Sequence, residues 1–402
     1  MRTYRDLFAV REFRALWTSN ALTTAAMTMS GLALATVVHA QTGSALLAAL
    51  AMFGPSVAQV VGAATLMSAA DASPPRRALT VVGLVSTAVL ALQAALPLGT
   101  GARLALVLSA AYVASIGGGV RWGLLGEVVP HDGYALARST MNVAVGAFQI
   151  VGFAAGGVLL AVLDATEIFG LAAVVSALGV PVLRRGVVER PPRRVARVGV
   201  RETLHADRLL LADRDTRALL LALSVPNGLV VGCEALFVPY AGESAGWLLA
   251  GAAAGMLAGD LLVGRALTPA GRRRASTPLR YLLSVPYLLF AVRPGVPLAV
   301  VVAAVASVGY AATLAQQEEL VALTPAGLRG QVLGVESSVR MTLQGVCAAA
   351  AGLLADLLSP ATAVVLLAGA STAVSVALTR ALARAGARSS TLAVMAPPEV
   401  RQ

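Results

Sequence analysis

Lysine is absent from this chain: all 31 basic residues are arginine. Charge of either sign is scarce, at 13% of residues, where soluble domains carry roughly 25%. Aromatic residues make up 4%, and there are two cysteines and three histidines. Each shortage excludes something. So few charges cannot cover 402 residues in water, and with 57% hydrophobic residues and a mean hydropathy of +0.79 the chain reads as a multi-span membrane protein. His39, His131 and His205 are scattered without metal-ligand spacing, so no metal is expected. Cys233 and Cys347 lie in apolar runs and read as buried thiols. A phosphate-cradling loop ending in lysine cannot be written without lysine, which argues against ATP as the direct energy source. No cluster of acids or histidines suits an enzyme working at a membrane face, so no catalytic residue and no cofactor are expected. A net charge of +11 suggests nucleic acid in a soluble protein. In a membrane protein it reflects basic cytoplasmic loops, so the expected partner is the lipid bilayer, with no nucleic acid.

What is present is organised around residues 184–217, which carry ten arginines, with Pro191-Pro192 breaking any entering helix. The reading is an N-terminal six-helix bundle over 1–183, an arginine-rich cytoplasmic connector over 184–216, a C-terminal six-helix bundle over 217–384 and a cytoplasmic tail over 385–402. A crossing helix needs about 20 apolar residues. Such runs fall at 15–39, 45–69, 78–97, 102–126, 138–162 and 167–183, then at 217–240, 246–267, 278–293, 296–318, 331–356 and 361–380. The first resembles a signal peptide at Val38-His39-Ala40 but is too long, and is expected to stay uncleaved. Hairpins are expected at Gln41-Thr42-Gly43 and Ala241-Gly242-Glu243. With both termini inside, 27 of the 31 arginines are cytoplasmic, including Arg265, Arg272, Arg273, Arg274 and Arg280 in one loop; Arg103 and Arg293 fall outside. A multi-pass protein of the cell membrane is the expectation.

The halves repeat at an offset of 195 residues: Pro130 matches Pro325, Gln149 matches Gln344, Gly157 matches Gly352 and Leu159 matches Leu354. Duplicated six-span halves are a transporter architecture with the substrate site between them. On these grounds, and on Phe13-Arg14-Ala15-Leu16-Trp17, Gln41-Thr42-Gly43-Ser44-Ala45 and Ser337-Ser338-Val339-Arg340-Met341, the chain resembles the major facilitator superfamily, in particular its bacterial efflux branch of enterobactin-exporter-like and drug-export proteins. The resemblance implies an all-α membrane fold of twelve transmembrane helices in two pseudo-symmetric six-helix bundles. That family's gating motif between spans two and three reads Gly, three residues, Asp, Arg and a basic cluster. Here Asp71, Arg76 and Arg77 stand, but Met67 and Ala72 replace the Gly and the first Arg.

A charge at the bilayer centre costs about 3 kcal/mol on insertion scales, so each asks for a partner or a task. Glu234, the most isolated acid, is the candidate for proton coupling or cation recognition, because apolar surroundings penalise a charged carboxylate. Arg121 either lines the cavity and attracts anionic groups or snorkels to the inner headgroups. Asn20, Asn227, Gln149 and Gln344 complete the substrate and proton pathway. Asp260 and Arg340 are expected to pair. Asp71, Arg76, Arg77 and Glu127 are expected to form an inner gate, with Glu318 and Glu319 facing Arg329 or the basic loop in the second half. Stripes at Gly54, Ala58 and Gly62, at Gly152 and Gly156, and at Gly251, Gly255 and Gly259 are expected to let helices approach, by resemblance across the interface between halves.

The function expected is secondary active transport by alternating access, with proton-coupled export of a small amphipathic or hydrophobic molecule and a monomeric state. Direction rests on the resemblance. The alternatives are a metabolite uptake transporter and a transport-inactive membrane sensor or scaffold.

Overall fold

The structure, a computed structural model, describes residues 3–395 apart from 72, 131–132, 193–210 and 326–327; the side chains of 67–71, 135, 269 and 389–395 also lie outside the description. The middle of the expected arginine-rich connector, 193–210, and the end of the expected tail, 396–402, therefore lie outside it, while 385–395 continue the last helix. The chain is an all-α membrane protein with twelve transmembrane helices in two pseudo-symmetric six-helix bundles. Ten described stretches are long and apolar enough to cross a membrane. One of them, Arg214–Ala266, holds two helices long enough to cross, and Pro269–Val292 adds a crossing built in two pieces.

In order, the helices are α1 (Tyr4–Ala9), α2 (Arg11–Thr42), α3 (Ala45–Asp71), α4 (Pro75–Ala95), α5 (Thr100–Val128), α6 (Tyr134–Leu160) and α7 (Ala165–Gly186). Then come α8 (Arg214–Ala235), α9 (Phe237–Ala241), α10 (Ala245–Ala266), α11 (Pro269–Ser284), α12 (Val296–Val308), α13 (Ala312–Leu323), α14 (Arg329–Leu357) and α15 (Pro360–Met395). Their ends follow local chemistry. Gly43 closes α2 in the left-handed region, φ 66°, with its N–H on the His39 carbonyl. Gly242 turns the chain before α10 at φ 55°. Asp164 and Glu167 form a capping box on α7, and Thr268 caps α11 with Pro269 at its first position.

By internal contacts the chain divides into two compact units, one of Met1–Val195 with Ala235–Ala254, the other of Ala196–Glu234 with Gly255–Gln402. In the first unit, α2 packs on α6 and α7, α3 on α5, and α4 on α7. One end of it is closed by the short α1: Leu7 and Phe13 are fully buried with Leu125 and Met141, and Phe8 stands edge-on to Phe13 and Trp17 at 5.3 and 5.5 Å. In the second unit, Leu219, Leu223, Leu320, Val332 and Leu382 form one cluster. Val162, Leu262, Val292 and Leu357 stay exposed, as hydrocarbon-facing side chains can.

The 278–293 span is built differently from expectation. Regular helix runs over Pro269–Ser284, starting nine residues earlier, and then tightens into a 3₁₀ stretch at Val285–Val292, where Pro286 removes a backbone donor. This places Arg280 inside a helix at 2% exposure, not in a watery loop. Arg103, expected outside, is also buried. It clamps the turn before α5 by donating to the Leu98 and Gln93 carbonyls at 3.0 and 3.3 Å, with its guanidinium 5.4 Å from the Phe169 ring centroid.

Candidate functional site

Polar groups in the interior of each unit are few, so each can be followed to its partners. In the second unit, Glu234 sits one residue before the end of α8 and is 7% exposed. Tyr310 donates its hydroxyl to Glu234 Oε1 at 3.2 Å, and Ser307 approaches the same oxygen at 3.5 Å. Both donors come from the place where a crossing helix is interrupted: Ser307 from the end of α12, Tyr310 from the 3₁₀ turn Gly309–Ala311. Gly309 permits the interruption to sit against α11, since a Cβ there would collide with Leu283 and Leu279 backbone. The fully buried Tyr287 lies in the same cluster. Glu234 has no ion-pair partner among the described residues. Two turns earlier on α8, Asn227 accepts from Gln344 Nε2 at 2.9 Å. Gln149, the repeat mate of Gln344, is half-buried in α6 and makes no such bond among the described residues.

Arg340 does not pair with Asp260. Its Nε donates to Glu336 Oε1 at 2.8 Å, one helical turn back on α14, and Gln317 donates to the other oxygen at 3.3 Å. Asp260 is exposed on α10 and has no ion pair among the described residues. Glu336 is 2% exposed, and sequence reading missed it. The signal was available, because an acid four residues before an arginine on one helix favours pairing. Glu318 pairs with Arg272 at 2.7 Å, while Glu319 and Gln316 are buried.

In the first unit the end near α1 is assembled around residues that follow α7. Arg190 is held by Glu12 in a two-pronged contact at 2.7 and 2.8 Å, and it reaches Glu127 at 3.4 Å. The hydrogen bond that Arg190 donates to Glu12 comes first in holding its guanidinium above the ordinary value, with the charges of Glu12 and Glu127 adding to it. Arg76 bonds Glu189 at 2.6 Å, the Val188 N–H bonds Glu12 at 2.8 Å, and Arg11 donates to the Arg185 carbonyl at 2.8 Å. Of the four residues expected at a gate, Arg76 is drawn to Glu189 and Glu127 to Arg190, which Glu12 also holds. Arg77 is exposed, and the Asp71 side chain lies outside the described residues. Chain-distant partners such as Glu12 and Arg190 leave no local pattern to find.

Arg121, on α5, lines a cavity of about 30 Å³ with Leu16, Ser19, Asn20, Thr23, Leu79, Val82, Gly83 and Leu183. It has no hydrogen-bond or ion-pair partner among the described residues.

Where a neighbour stands against one of the stripe glycines, it belongs to the same unit. Gly62 faces Tyr112 of α5, Gly152 and Gly156 face Thr28 and Met29 of α2, and Gly255 and Gly259 face Ala304 and Val308 of α12. A Cβ on Gly259 would stand 2.6 Å from the Val308 carbonyl oxygen. The pairing of the second and fourth spans in one bundle recurs as the eighth and tenth in the other, which the 195-residue repeat explains.

No family model and no curated protein matches the chain. Solved structures do. One is a POT family transporter in complex with 5-aminolevulinic acid, TM-score 0.74 at 11% identity, covering 93% of this chain and 96% of that one. A second is a peptide transporter POT in complex with sulfate, TM-score 0.71 at 13% identity, covering 94% and 95%. A third is a bacterial homologue of the human lysosomal transporter Spinster, in an inward-facing and unoccupied conformation, TM-score 0.65 at 15% identity, covering 98% of both chains. At these identities the likeness is one of fold, and the fold is the major facilitator type.

Proposed function

We propose that the chain is a secondary active transporter that exports a small amphipathic or hydrophobic molecule in exchange for protons by alternating access. The observation that supports this reading best is Glu234. A carboxyl group in an apolar bundle, bonded only to hydroxyl donors and without a basic partner among the described residues, can gain and lose a proton without leaving an opposite charge stranded. It lies beside an interrupted helix, and interrupted spans mark binding sites in transporters. Asn227 and Gln344, on the same helix face and its partner, supply neutral polar contacts that suit an amphipathic cargo. Both termini and the residues after α7 are assigned to the cytoplasm, in the cell membrane, and the working unit is a monomer. Uptake of a small polar metabolite is the second reading, favoured by the similar structure in complex with 5-aminolevulinic acid.

The test uses the full-length protein in liposomes loaded with a pH-sensitive dye and exposed to a panel of amphipathic compounds. At least one compound is expected to move protons across the wild-type membrane. Glu234→Gln, folded and inserted, is expected to lose that flux. An unchanged pH profile in Glu234→Gln removes this residue from the mechanism; proton-independent counterflow of a polar metabolite favours uptake.

A further inference from the structure

The geometry points to a binding site for a small inorganic anion, of halide size, in the Arg121 cavity of the first unit. The cavity is bounded by α2, α4, α5 and α7, all of one bundle. Its wall is apolar at Leu16, Leu79, Val82 and Leu183, and no carboxylate lines it. Its polar lining residues are Arg121 of α5 and Ser19, Asn20 and Thr23 of α2. Asn20 is 6% exposed. Thr23 spends its proton on the Ser19 carbonyl at 2.9 Å, which leaves arginine, amide and serine as donors.

Three properties decide the ligand class. A guanidinium without a partner among the described residues, in apolar surroundings, asks for a negative charge. The acid nearest in sequence, Glu127, is engaged by Arg190 at 3.4 Å and stands six residues further along α5, about 9 Å along the axis. Finally, a volume of about 30 Å³ admits one single-atom anion or a water or two, but not a drug-sized molecule. A resident anion would neutralise the only arginine in the middle of α5 and tie α2 to α5 through Asn20. This inference concerns binding within one bundle and does not depend on the transport reading.

The experiment measures thermal unfolding of the purified full-length protein in detergent, titrated with sodium chloride or bromide against sodium gluconate at constant ionic strength. A saturable rise in the unfolding midpoint is expected with both halides. In Arg121→Gln the half-saturating halide concentration is expected to rise at least about tenfold, the loss of one charge-assisted contact. Asn20→Leu, which fills the cavity with an apolar side chain, is expected to abolish the rise and serves if Arg121→Gln does not fold. In crystals grown in bromide, anomalous signal is expected beside Arg121. Equal midpoints in chloride and gluconate overturn the site, as does a halide response that survives both substitutions. A response to acetate or benzoate without one to halide also overturns it and reassigns Arg121 to carboxylate recognition.

Discussion

Ionisable side chains inside the apolar bundles are handled in three ways. Glu234 is bonded by hydroxyls, Arg280 donates to the Ser375 carbonyl at 3.3 Å, and Arg340 is neutralised by Glu336. At the water-facing end of the second unit, Arg388 joins Asp213 and Asp215 at 2.6 and 3.0 Å. Burial pushes the Asp213 carboxyl up, but the N–H groups of Thr216 and Asp215 and the Arg388 guanidinium outweigh it and hold the group below its ordinary value of 3.8. A depressed carboxylate stabilises the fold above its unfolded value and loses that contribution as pH falls through the folded value. Asp213→Asn should therefore lower the unfolding midpoint at pH 7, with a smaller gap to wild type at a pH well below 3.8, read by thermal unfolding across that range. Equal gaps at both pH values would contradict it. That Glu234 is a lone buried acid was legible from one acid in a long apolar run. That Tyr310 and Ser307 serve it was not, because 73 residues or more separate them from it in the chain.

Helices in this fold meet through glycine, and the two kinds of glycine should behave oppositely. A Cβ on Gly255 would run into the Ala304 carbonyl, whereas one on Gly334 of α14 meets nothing within 4 Å. Gly255→Ala is expected to destabilise by about 1–3 kcal/mol through overpacking, while Gly334→Ala is expected to gain up to about 1 kcal/mol from helix propensity. Unfolding midpoints of the two variants in detergent check this; equal effects would mean that α10 and α12 do not touch there. The stripes were visible as spacing, but spacing names no partner. Only packing shows that Gly255 and Gly259 serve α12 within their unit. The start of α11 shows the converse limit, since its three consecutive arginines read as loop while Thr268 and Pro269 had already begun a helix.

Charge distribution gives the whole molecule its proposed orientation. Reporter fusions placed after Arg190 and after Arg272 should both report the cytoplasm; opposite sides would overturn the assignment of the termini. Sequence alone determined the class, the number of crossings and the repeat, because those depend on how many apolar residues run together and how often. It also determined the turns at Gly43 and Gly242, where only a residue without a side chain relaxes into a positive φ. Tertiary structure alone decided which charges meet: Arg190 with Glu12 and Glu127, and Arg340 with Glu336 instead of Asp260, while Arg121 lines a small, mostly apolar cavity. The reason is range. Hydrophobicity acts through sums along the chain, while a hydrogen bond or ion pair needs two atoms within about 3 Å, a distance set by how helices far apart in sequence come to pack.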